Sequence, residues 1–240
     1  MNPKVFRIEH WKELIHEHLE LWSALQGVFR TAQESGPSSE TLPQTGTNGV
    51  LLWVAQLKSM QDAQNIPSLM DLFSRQMHIV AGSLIDGILG DAFFLVFQQK
   101  PELMKSKFRG LPDEDEPEQE RRNGSNMIRF DEVLRFSSRE ELIDSLAEGV
   151  ARTQNQGKIE KILKRFLTVS GWKSEPSTFA AVREIMELRH KSAHETAQLS
   201  LPAEKIESVF LNILPGFLDD IEEILASCGV FSDRDVEEVL

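Results

Sequence analysis

The residues of this 240-residue chain best suited to chemistry are crowded into one short run, Arg189-His190-Lys191-Ser192-Ala193-His194. Arginine offers planar, permanently charged donors to phosphate oxygens, and histidine exchanges protons near neutral pH. Together they supply the two functions a metal-free RNA-cleaving centre needs, a phosphate clamp and an acid/base group. On a helical wheel counted from Phe179 at about 100° per residue, Val182, Met186, Ala193 and Ala197 form one apolar stripe. Arg189, His190 and His194 fall inside or beside that stripe, and Arg183 and Glu187 continue its polar edge. Such groups on a packing face cost free energy unless they are hydrogen-bonded or line a cleft.

Three readings of the run compete. In the first, core carboxylates satisfy the arginine and the two imidazoles. In the second, His190 and His194 share a face as i and i+4 and clasp zinc; the chain shows no third ligand, and Arg189 would repel the cation. In the third, Arg189 and His194 form a phosphate-directed pair. No other chemistry stands out. The chain lacks a Gly-rich phosphate loop, a Gly-x-Ser-x-Gly elbow and a His-Glu-x-x-His helix. His16 and His18 lie on different sides of a helix, and His78 stands alone and is expected to be structural. The carboxylates show no catalytic pairing. Cys228 is the single cysteine, so neither an internal disulfide nor a thiolate zinc site can form. No cofactor and no metal are expected.

The elements that must position this run read as helices. Phe6–Arg30 has helical spacing through Leu14, Leu19, Leu21, Trp22, Leu25 and Val28. Thr31–Gly49, rich in Ser, Thr, Gly and Pro, reads as an exposed linker. Residues 1–49 are therefore expected to be an N-terminal helical appendage and linker, and residues 50–240 the main helical domain. Gly110–Asn126 carries a run of acids that reads as a solvated loop. Ser138 opens a helix with a capping box to Glu141, and Leu142, Ile143, Leu146 and Val150 mark its apolar face. A second helix follows through Ile159–Leu167, and Ser177 caps a third over 179–199. Pro202 suits the first turn of a fourth, which Pro215-Gly216 should kink or break. Gly229 is its expected stop. No alternating strand pair and no repeat is visible. The fold class is all-α.

Composition narrows the partners. The formal charge is −12, so a protein that coats nucleic acid indiscriminately is excluded. Gly157–Lys191 nevertheless carries eight basic residues against four acidic ones, while the stretch from Gly216 onward holds eight acids and Arg234 alone. A basic patch on an acidic body suits recognition of a particular RNA feature. Ile79–Phe97 approaches the length that spans a bilayer, but Asp86 and Asp91 interrupt it, and each central Asp costs about 2.5–3.5 kcal/mol on insertion. A core helix explains the same residues, and no membrane association is expected. With no secretory signal at the start of the chain, a soluble protein of the reducing cytoplasm is expected.

Glu187-Leu188-Arg189-His190-Lys191-Ser192-Ala193-His194-Glu195 resembles the signature of the HEPN superfamily (higher eukaryotes and prokaryotes nucleotide-binding), in which Arg, a polar residue and three variable residues precede His. The helix pair over 138–152 and 157–166 is similar to its ribonuclease-type branch, and the resemblance covers roughly residues 65 to 228. The polar position, more often Asn, is His190 here. The resemblance implies a helical bundle of HEPN type and a homodimer whose two motif helices meet across a shared cleft. It implies a metal-independent endoribonuclease acting on single-stranded or loop RNA and leaving 2′,3′-cyclic phosphate and 5′-hydroxyl ends. His194 would be the acid/base residue and Arg189 the phosphate clamp. His190 and Lys191 would support RNA binding, Arg183 is added as a further RNA contact, and Glu187 would orient an imidazole. Prokaryotic relatives commonly serve as toxins or in phage defence under an antitoxin or other regulatory partner. Some members of the superfamily bind without cutting, so a non-catalytic nucleotide-, RNA- or protein-binding module is the alternative.

Overall fold

The computed structural model describes residues 4–34, 69–104, 134–194 and 203–237. These are α-helical almost throughout, and the only strand-like pairing among them is an isolated parallel bridge between Phe6 and Ser232. The elements are α1 (Ile8–Glu34), α2 (Leu69–Gln99), α3 (Arg139–Gln154), α4 (Ile159–Ser170), α5 (Thr178–His194), α6 (Ala203–Ser208), a π-helical turn (Val209–Ile213), α7 (Leu214–Ser227) and α8 (Asp233–Glu237). The chain divides into two compact units. One holds residues up to Glu9, Asp86–Phe179 and Leu218 onward; the other holds His10–Ile85 and Ala180–Phe217.

The first unit packs around the second half of α2. Ile88, Leu89, Ala92, Phe93, Val96 and Phe97 are fully buried, and Phe93 meets Phe166 of α4 edge-on with ring centroids 5.3 Å apart. This edge-to-face geometry suits the ring quadrupoles. At the start of α3, Ser138 Oγ accepts the Glu141 N–H, and the Glu141 carboxylate accepts from the N–H of Ser137 at 2.8 Å. The capping box read from sequence is therefore present, with its return bond made one residue before the cap. Asn155, at the end of α3, donates to the Asp86 carbonyl at 2.8 Å. Arg165 of α4 donates to the carbonyls of Gln154 and Gln156, so this member of the basic stretch holds a chain reversal together. Lys158, Lys161, Lys164 and Lys173 are exposed.

The extreme N-terminal segment belongs to the same unit. Phe6 N–H donates to Phe231 O at 2.8 Å, Asp233 N–H to Phe6 O at 3.1 Å, and Ile8 N–H to the Asp233 carboxylate at 3.1 Å. Phe6 and Ile8 are buried beneath these bonds. Gly229 stops α7 as the sequence predicts: it takes φ +82°, and Val230 N–H reaches back to Leu225 O at 3.0 Å. A left-handed backbone of this kind favours glycine.

The second unit contains most of α1, the first half of α2, α5 beyond Phe179, α6 and the π turn. The boundary expected at residues 49 and 50 lies outside the described residues. Ile15 and Trp22 of α1 are buried, Trp22 completely, because Ile8, Ile15 and Trp22 recur at seven-residue spacing and lie along one side of the helix. The linker that suggested a boundary starts inside α1, which runs to Glu34, and its remainder lies outside the described residues, as does the acidic loop at 110–126. The break expected at Pro215-Gly216 also takes another form. Helical structure runs from Ala203 to Ser227, with Leu214 N–H bonded five residues back to Val209 O. Proline has no N–H for the carbonyl four residues earlier, and a wider π turn just before it absorbs that loss without ending the helix.

Met70–Gln99 is long and apolar enough to cross a bilayer by length and composition. In the fold, 56% of its most apolar window is buried inside the protein.

Candidate functional site

The residues singled out from sequence occupy the last turns of α5, within the second unit. Phe179, Val182 and Ile185 are its buried positions. Including Ile185 turns the packing face away from the stripe drawn on sequence. Arg189 remains on the packing side and is half-buried, whereas His190 and Ala193 are exposed. Arg183 is half-buried at a turn and a half before Arg189. The α5 backbone reaches His194, whose side chain lies outside the described set, as does the chain from 195 to 202.

Glu187 pairs with Lys191, one turn on, at 2.8 Å. Lys191 lowers the Glu187 pKa, first by donating a hydrogen bond and then by its charge. The role assigned to Glu187 from sequence was to orient an imidazole; the contact found is to an ammonium group. The same i,i+4 spacing that made it a neighbour of the motif makes it a natural ion-pair partner within the helix.

Arg189 owes its position to α2. A Cβ built on Gly82 would stand 2.3 Å from Arg189 Cδ, 3.1 Å from its Cγ and 3.2 Å from its Nε. The arginine stem, from Cγ to Nε, therefore lies directly against the α2 backbone. One turn earlier on α2, at i−4 from Gly82, His78 is buried, and Ser74 and Arg75 are buried another turn back. The His78 Nδ1 bonds to the Ser74 carbonyl at 2.9 Å. Nearby, Lys205 of α6 donates to Glu184 of α5 at 2.8 Å, and His18 of α1 stacks on Phe210 of the π turn.

Sequence reasoning treated His78 as structural and passed over Gly82 and Arg75. The available signal was weak: a glycine inside an apolar run, preceded on the same helical side by two basic residues. The buried Trp22 Nε1, His78 Nε2 and Ser192 Oγ of this unit have no hydrogen-bond partner among the described residues. Among those residues no group of three His, Cys, Asp or Glu is arranged to hold a metal ion.

Burial pushes the His78 pKa below its ordinary value. The Ser74 carbonyl opposes that shift, Lys205 adds to it, and Glu184 opposes it. The depressed folded pKa means that the unfolded chain takes up this proton first as pH falls. The stabilisation from a neutral His78 is thus complete above pH of about 6.5 and is lost as pH drops below that towards the folded pKa. Urea unfolding at pH of about 7.5 and about 5.5 is expected to show lower stability at the acid value. His78→Asn keeps a donor for the Ser74 carbonyl and should reduce the difference. An unchanged pH dependence in that variant would remove His78 from the account.

Comparison of the chain with family models, with curated proteins and with solved structures returns no match. The protein is helical, and Arg189 near the end of α5 is seated on Gly82 of α2.

Proposed function

We propose that the protein is a metal-independent endoribonuclease of HEPN type, acting on single-stranded or loop RNA as a homodimer. The observation that carries this reading is the placement of Arg189. It is half-buried with its stem pinned against α2, which restricts a flexible cation before any ligand arrives. Such a group suits a phosphate whose charge grows during reaction, because a donor held in place beforehand needs less reorganisation.

In the proposed reaction the ribose 2′-oxygen attacks the adjacent phosphorus as the bond from phosphorus to the 5′-oxygen breaks. His194 moves the protons, and Arg189 holds the phosphate oxygens. The products are a 2′,3′-cyclic phosphate and a 5′-hydroxyl end. Unpaired RNA is the natural substrate, since in-line attack needs a backbone released from A-form geometry. Residues five apart on one helix are separated by about 7.5 Å along its axis and about 140° around it. The homodimer is what the HEPN resemblance implies, with two copies of α5 facing one cleft. The exposed His190 and the half-buried Arg183 and Lys191 would contact flanking phosphates. A cytoplasmic toxin or phage-defence role held in check by an antitoxin or regulatory partner fits such an activity.

Half-burial of Arg189 also favours a second reading, a non-catalytic binding module in which this side chain contributes packing and affinity alone. One experiment separates the two. The full chain and His194→Ala are incubated with a mixed single-stranded RNA pool in EDTA, followed by end-group analysis and circular dichroism. Cleavage by the wild type alone, leaving cyclic phosphate, is the expected result. A folded wild-type dimer that binds RNA without cutting it moves the assignment to the binding module. Equal cleavage by both proteins removes His194 from the chemistry.

A further inference from the structure

We propose that Gly82 is a positioning residue for Arg189: its missing side chain is the seat on which the arginine stem lies, and that seat sets where the guanidinium meets a substrate phosphate. This rests on the ribonuclease reading of the site and adds to it a residue on a different helix.

Glycine weakens a helix interior relative to alanine, so a glycine there calls for a reason. At Gly82 the reason is not backbone conformation, since it lies mid-helix without a positive φ. It is space. Alanine at Gly27 or Gly149 would meet nothing within 4 Å, and at Gly90 its nearest neighbour would be an ordinary 3.5 Å away. At Gly82 alanine would overlap Arg189 Cδ at 2.3 Å. All three nearest atoms belong to that one side chain, and none to backbone. The arginine stem can swing aside, so a methyl group here is expected to displace the guanidinium and leave the helices in place. Gly82 touches no substrate in this account and acts only through Arg189. Misplacing a reacting or clamping group by about 1 Å can cost about 100-fold in rate.

The test compares wild type, Gly82→Ala, Arg189→Ala and the double variant on end-labelled single-stranded RNA in EDTA, with kcat and KM measured separately. Gly82→Ala is expected to lower kcat about 10–100-fold while KM and the urea midpoint stay close to wild type. On the Arg189→Ala background the same substitution should do nothing, because the atoms it displaces are gone. An equal loss on both backgrounds, or wild-type kinetics for Gly82→Ala, overturns the proposal.

A second readout does not depend on cleavage. The Arg189 Nε–Hε cross-peak, assigned by its loss in Arg189→Ala, is expected to be dispersed and sharp in the wild type and to move in Gly82→Ala while the backbone amide spectrum is retained. If the wild type cuts no RNA, the ribonuclease reading fails by itself, and this cross-peak decides the seat. A peak at the averaged position of a solvated arginine in both proteins would overturn it.

Discussion

Truncating Arg189 to alanine is expected to slow metal-free RNA cleavage by about 10²–10³-fold, the usual cost of removing one preorganised donor from developing charge. Alanine alone cannot distinguish a phosphate clamp from a packing residue, because Arg189 lies along α2 at Gly82 and its removal also empties that contact. Arg189→Met separates the two effects: it keeps an apolar stem over the glycine and removes the charge. If Arg189 is the clamp, the Met variant should be as inactive as the Ala variant while unfolding in urea near the wild-type midpoint. Arg189→Lys restores charge as a compact point without the planar fork and is expected to recover only part of the rate. A Met variant that cleaves at the wild-type rate would assign Arg189 to packing and end its role as a clamp.

Trp22→Ala carries the largest expected loss of stability, about 3–5 kcal/mol. The indole is fully buried in the second unit, and removing it costs both its transfer free energy and the cavity left behind. Against a total stability of about 5–15 kcal/mol for a typical domain, this is at least about a fifth of the whole. Trp22→Phe keeps most of the apolar volume and discards an indole N–H that finds no partner among the described residues, so its cost should be below about 1.5 kcal/mol. Urea titrations followed by circular dichroism check both variants. A change within about 0.5 kcal/mol for Trp22→Ala, the range of surface substitutions, would show that α1 is an appendage.

Some of this architecture was legible from short stretches of chain. The start of α3 at Ser138 depends on a serine and a glutamate three residues apart, and the end of α7 depends on a glycine at positive φ. Each is decided within about one helical turn, so reading a few neighbours suffices. The all-α class follows from the same kind of signal repeated along the chain. Spacing leaves other local outcomes open: Glu187, which the sequence offers as a group to orient an imidazole, pairs with Lys191 four residues on, while Arg183 stands four residues back. Two partners within one turn compete for such a side chain, and spacing cannot rank them.

Other features answered to contacts between distant parts of the chain. A Ser-, Gly- and Pro-rich stretch after α1 suggested separation, yet hydrophobic burial follows whichever face finds a partner, and Ile15 and Trp22 found one. Pro215 forbids one hydrogen bond, but the helix around it persists with a π turn, where neighbouring buried residues such as Phe210, Leu214 and Phe217 hold both sides in place. The sequence by itself determined that Arg189 and His194 share one helix, five residues apart, because helical periodicity is a local property. Only the tertiary structure decided that Arg189 packs on Gly82 while His190 faces solvent. Which side of a helix is buried depends on the shape of the surface that meets it, and that surface is built by residues remote in sequence.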